Sequence, residues 1–149
     1  MNINYNSAVN DKSFFWIDAK KILIFIGLMC LVISLFQISF FTSESDIRGF
    51  WVLIMGWIGL FFFQFAWFAN PLNLLALLVL ANKPKTSLFL SLLAIGFAAH
   101  SIQLTELPID LKDGKIYIKE LGLGFYFWFI AQVLFFTVVL FENIYKHKA

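Results

Sequence analysis

The stretch TSLFLSLLAIGFAAHSIQLT, residues 86–105, decides the fold. It holds no Asp, Glu, Lys or Arg, and as a helix rising ~1.5 Å per residue it covers the ~30 Å hydrocarbon core of a bilayer. Its small residues are ordered. Ser87, Ser91, Ala94, Ala98, Ser101 and Thr105 follow alternating steps of four and three, which lines them along one helix face. In lipid, apolar side chains gain little by leaving their solvent, so close backbone approach along such a seam is a main source of helix association. The stretch therefore predicts a membrane-spanning helix packed through its small face, with His100 just off the seam at membrane depth.

The rest of the chain has the same character. Hydrophobic residues are 61% of the 149 and charged ones 13%, outside the range of water-soluble domains, so one polytopic membrane domain is expected over residues 1–149. The 20 Phe and 5 Trp supply bulky faces suited to acyl chains. The single cysteine, Cys30, excludes an intramolecular disulfide and a Cys-x-x-Cys redox centre. A net charge of +2 is too small to suggest a nucleic-acid partner.

Upstream of the decisive stretch lies a basic turn with Lys83 and Lys85, preceded by an apolar run over residues 50–81. Those 32 residues would make ~48 Å of helix, too long for one straight crossing. Asn70-Pro71 is the expected break, because proline removes a backbone donor and disfavours helix at the preceding residue. The span is read as 50–69, with 72–81 as a continuation that is kinked, re-entrant or interfacial. A further span is read over 22–41, where Gly27, Cys30, Ser34 and Gln37 form a second small or polar seam. Its apolar run is too long for a cleavable signal peptide and no Ala-x-Ala-like site follows it. Residues 1–11 read as a loose polar tail.

Downstream, Leu107, Ile109 and Leu111 alternate, as do Ile116 and Ile118, around Asp113-Gly114. This predicts an outer β-hairpin over 107–120, in which a two-residue turn pairs Lys112 with Lys115 and sets Leu111 opposite Ile116 and Ile109 opposite Ile118. The last span is read over 121–145, opening on the aromatic belt Phe125-Tyr126-Phe127-Trp128. The expected fold class is an all-α membrane protein: a bundle of four transmembrane helices with a short outer β-hairpin between helices 3 and 4. Seven of the 11 Lys and Arg then fall on the side of the termini and the 82–85 turn. Both termini are accordingly expected in the cytoplasm, and the chain in a bacterial inner (plasma) membrane.

This topology puts Gln37, His100, Gln103 and Tyr126 at similar depth, in the outer third of three spans. They form a candidate polar site in which His100 responds to protons while the amides and the phenol contact a ligand. The plainer reading, an interhelical hydrogen-bond network satisfying only its own members, carries more weight, because one His and two amides fall short of a catalytic set. Gln64, Asn70 and Asn73 form a second, inner polar group. The aliphatic face of the hairpin is expected to dock on the bundle, which leaves Asp110, Tyr117 and Lys119 as the candidate partner surface. No Ser-His-Asp set, His-Glu-x-x-His pair or glycine-rich phosphate loop can be assembled, so no catalytic residue, cofactor or metal is expected. The intramembrane carboxylate of proton-coupled exporters and the paired cysteines of quinone-linked thiol oxidases are missing too.

Trp67-Phe68-Ala69-Asn70-Pro71-Leu72 with its Leu-rich continuation, and Gly122-Leu123-Gly124-Phe125-Tyr126-Phe127-Trp128, resemble motifs of small four-helix bacterial inner-membrane proteins. The resemblance covers roughly the second half of the chain and implies a topology without an activity. The expected function is non-enzymatic: contact with a membrane-protein partner or a second copy in the lipid bilayer, as an accessory subunit or an immunity-type protein. The rival is a small oligomeric transporter or channel, which needs a wet polar seam through the whole membrane depth.

Overall fold

The computed structural model describes the backbone of residues 5–107 and 116–146 and the side chains of 18–107 and 116–144. Among the described residues, three helices are long and apolar enough to cross a membrane. They are Asp18–Phe36 within α1 (Tyr5–Phe36), Pro84–Gln103 comprising α4 (Pro84–His100) and a 3-10 turn, and Leu123–Ile144 within α5 (Leu123–Lys146). Two shorter apolar helices stand between α1 and α4. Gly49–Phe62 comprises α2 (Gly49–Met55) and a 3-10 continuation, and Ala66–Val79 comprises a 3-10 turn and α3 (Ala69–Val79).

The small seam of α4 packs as its spacing implies. Ser87, Ala94, Ala98 and Ser91 are fully buried and Ser101 nearly so, whereas Phe89 and Leu92 on other faces are exposed. Helix α3 lies on α4, and α4 on α5. Helices α1 and α3 lean on α5 from two sides and barely meet each other. Far from the sheet, an ion pair between Lys20 Nζ and Glu142 Oε2 at 3.0 Å ties α1 to α5.

At the other end the chain forms an antiparallel sheet of β1 (Ile38–Thr42), β2 (Ile47–Arg48), β3 (Glu106–Leu107) and β4 (Ile116–Leu121), in the order β2-β1-β4-β3. Its inner face joins Phe40, Leu107 and Ile116 to Phe125 of α5, with Val52 of α2 packed against them. Strand β1 corrects the expected span 22–41, because the helix ends at Phe36. Ile38, Phe40, Phe41 and Thr42 are residue types that suit a pleated, half-buried surface. Gly122 permits the pairing, since a side chain there would strike the Ile38 carbonyl oxygen. At its other end α1 reaches back to Tyr5, where a loose tail was expected; residues 1–26 contain neither Gly nor Pro to stop it.

The expected helix over 50–69 is corrected as well. The chain turns at Phe63, a left-handed residue with φ 58°, and not at Asn70-Pro71. Pro71 is the third residue of α3, within the first turn, where a missing donor costs little. The fold-back depends on two glycines. A Cβ on Gly56 would come within 2.5 Å of the Trp67 ring, and one on Gly59 within 2.8 Å of the Gln64 carbonyl oxygen. Gly49–Phe62 thus runs from the end of α1, where Gly49 N–H donates to the Gln37 carbonyl (3.0 Å), across the sheet to Gln64, whose Nε2 donates to the Glu106 carbonyl (2.8 Å).

The strand register also departs from expectation. Glu106 pairs with Tyr117 and Leu107 with Ile116, while Ile118 N–H donates to the Thr105 carbonyl at 2.9 Å. Ile118 therefore faces a residue four positions earlier than Ile109. Strand β4 is held on its other edge by β1, through Phe40 with Leu121 and Thr42 with Ile118, and this arrangement buries Ile116 toward Phe125. Ile109, Leu111 and the Asp113-Gly114 turn lie outside the described residues.

Candidate functional site

The buried polar residues converge on one place among α3, α4 and α5. Asn70 and Asn73, three apart on α3, share a face, as do Trp128 and Gln132, four apart on α5. The α4 seam brings Ser91 to the same point. Ser91 Oγ–H donates to Asn73 Oδ1 (2.7 Å), and Asn73 Nδ2 donates to Gln132 Oε1 (2.7 Å). Gln132 Nε2 donates to Asn70 Oδ1 (2.9 Å), which also accepts from Trp128 Nε1 (2.7 Å). One turn along the seam, Ser87 Oγ–H donates to the Ala76 carbonyl at 2.7 Å. Asn73, Gln132, Ser87 and Ser91 are each no more than 1% exposed, and no buried side-chain nitrogen or oxygen among the described residues lacks a partner.

Beside this network is a cavity of about 550 Å³ between α1, α3 and α5. Leu28, Leu31 and Leu35 of α1 line one wall, and Leu74 and Leu77 of α3 the other. Val52 and Leu53 of α2 roof it at the sheet end, where Trp67 Nε1 donates to the Leu53 carbonyl (2.7 Å). Asn70, Trp128 and Gln132 contribute polar groups to its lining, with Ser34, Ser39 and Ser101.

The four residues read as one outer polar site are not joined. Gln37, His100, Gln103 and Tyr126 all have exposed side chains, and no hydrogen bond links any two of them. Gln37 falls in the bend between α1 and β1, while His100 ends α4, Gln103 lies in the 3-10 turn after it and Tyr126 stands in the first turn of α5. Of the candidate partner surface, Tyr117 and Lys119 are exposed on alternate positions of β4, so they share its outward face, while Asp110 lies outside the described residues. Of the inner polar group, Asn70 and Asn73 belong to the buried network, whereas Gln64 serves the sheet end. Gln132 and Ser91 carry signals that were available: an amide one turn from Trp128, and a hydroxyl in the small seam. Among the described residues, no three His, Cys, Asp or Glu side chains gather where they could hold a metal ion.

Compared with protein-family models, curated proteins and solved structures, the chain matches none.

Proposed function

We propose that the chain is a non-enzymatic integral membrane protein that acts by protein contact at its sheet end, as an accessory subunit or an immunity-type protein. In this reading α3, with its 3-10 turn, is a short fourth crossing beside the three long helices. Its ~21 Å of helix would be accommodated by local thinning of the bilayer and by the roofing segment Gly49–Phe62. The antiparallel pair of β3 and β4 belongs to the outer hairpin expected over 107–120. Both termini lie in the cytoplasm of a bacterium, by the distribution of Lys and Arg.

The observation that carries the reading is the outward face of β4. Tyr117 is 55% exposed, yet its backbone is fixed, accepting from Ser43 N–H (2.9 Å) and donating to Ser43 Oγ (3.3 Å). A rigid exposed tyrosine suits a contact surface, with large area gained at small entropic cost. The transporter reading draws less support, because Trp128 and Gln132 bond Asn70, and Gln132 and Ser91 bond Asn73, in one local network and not in a polar seam through the membrane depth. Photo-crosslinking residues placed singly at Tyr117 and Lys119 should each capture one discrete protein in living cells, whereas one at the lipid-exposed Leu78 should not. Normal abundance with no adduct at either strand position would remove this proposal.

A further inference from the structure

The groove between α1 and α3 has one amide group left to offer. Asn70 Oδ1 is spent twice, on Trp128 and Gln132, which leaves its Nδ2 as the free end of the amide. That nitrogen has no hydrogen-bond partner among the described residues, and it is not sealed from solvent. Asn70 lines the groove, whose lining is otherwise mostly apolar; Ser39 Oγ, at the sheet end, lies against Gly124. Ser34 and Ser101, also in the lining, donate to their own helix at the carbonyls of Leu31 (2.7 Å) and Ala98 (2.5 Å). The groove therefore asks for a hydrocarbon body with one hydrogen-bond acceptor, placed to meet an amide donor.

We infer that this groove binds one acyl chain of a membrane phospholipid, with the ester carbonyl oxygen accepting a hydrogen bond from Asn70 Nδ2 and the methylenes running along Leu74, Leu77 and Leu28. Depth argues for an ester. Asn70 bonds the indole of Trp128, five residues into α5 from Leu123, and follows Trp67 by three residues. Indoles mark the boundary between headgroups and hydrocarbon, the layer that also holds the acyl ester carbonyls. Val52 and Leu53 close the groove above this level, so the headgroup leaves sideways, between α1 and α3. The inference rests on the membrane-inserted reading proposed above.

The test uses the full chain in phosphatidylcholine vesicles with Trp16, Trp51 and Trp57 changed to Phe, leaving the two groove indoles, Trp67 and Trp128. Emission is followed as phosphatidylcholine brominated at mid-chain is added, in its diester form and in its diether form, which lacks the carbonyls. The diester is expected to reach half-quenching at a mole fraction at least threefold lower. Asn70→Asp keeps oxygen acceptors for Trp128 and Gln132 while removing the amide donor, and should bring the two curves together. Leu74→Phe, which narrows the wall without touching the network, should weaken both. Equal quenching by the two lipids in the parent chain overturns the inference, whatever the fate of the Asp variant, and leaves insertion standing. If neither lipid quenches, the groove is closed by protein and the inference fails. In that case insertion is decided separately, by whether the native chain stays with the vesicles after alkaline carbonate extraction.

Discussion

Trp128 sets the direction of every bond in the buried network. An indole nitrogen can only donate, so the atom of Asn70 facing it is the amide oxygen. The Gln132 group reaching the same oxygen must then be its nitrogen, which turns the Gln132 oxygen toward Asn73 Nδ2 and leaves the Asn73 oxygen for the Ser91 hydroxyl. Oriented this way the bonds polarise one another, and the one amide group left over is Asn70 Nδ2 at the groove. The consequence is unequal sensitivity. Trp128→Phe removes one donor from an oxygen that keeps another, and should cost about 0.6 kcal/mol, at most ~1.7. Gln132→Leu removes a donor and an acceptor together and strands Asn73 Nδ2 in a site 1% exposed, which should cost about 1–3 kcal/mol. Unfolding of the two purified variants in one detergent, by titration with a denaturing detergent, ranks them, and equal losses would show that bond direction has no energetic weight. Half of this site was legible. Asn70 and Asn73 stand out among leucines, but Trp128 sits in an aromatic run that reads as an interface belt. Gln132 lies alone among apolar residues, where only its spacing from Trp128 marks it.

At the scale of elements, the junctions between helices and sheet decide what the chain does, and these were the least legible part. A 3.6-residue period marks α4 and its packing face, because one seam of small residues is a local pattern. The end of α1 is different: Ile38 to Thr42 could continue an apolar helix, and becomes a strand because β4, nearly 80 residues later, offers its edge. The Phe63 turn is similar. No local signal outweighs Asn70-Pro71, and the turn is stabilised by contacts from Gly56 to Trp67 and from Gln64 to Glu106. Glycines at such junctions should therefore respond to substitution differently from a glycine inside a helix. A methyl group on Gly49 would collide with the Ser34 carbonyl oxygen where α1, β1 and α2 meet, whereas around Gly96 in α4 nothing lies within 4 Å. Gly49→Ala should destabilise by about 1–3 kcal/mol through overpacking, and Gly96→Ala should stabilise by ~0.5–1 kcal/mol through reduced backbone freedom in the unfolded chain. Thermal unfolding in micelles separates the two, and a harmless Gly49→Ala would mean that α2 does not rest on the end of α1.

For the whole molecule, composition made the membrane character legible and left the path of the chain open. Three long apolar helices can be read from hydropathy alone, but the run over 50–81 is apolar throughout, so hydropathy does not distinguish a crossing from a segment lying over one end. Side-chain contacts distinguish them, because Gln64 reaches Glu106 at the sheet. The same gap explains the misplaced polar cluster, since hydropathy does not show that Gln37 falls in the bend between α1 and β1 and Gln103 in the 3-10 turn after α4. The difference can be measured in intact cells with a membrane-impermeant thiol reagent and a Cys30→Ala background. A helix crossing from residue 50 would carry residue 63 ~20 Å below the outer interface, out of the reagent's reach. The folded-back path keeps Phe63, 79% exposed, at the sheet end. Phe63→Cys should accordingly react from outside together with Ser45→Cys in the exposed β1–β2 loop, while Lys83→Cys in the α3–α4 turn should react only after the cells are opened. Protection of residue 63 in both intact and opened cells would restore the straight crossing, and reaction of residue 83 in intact cells would invert the orientation.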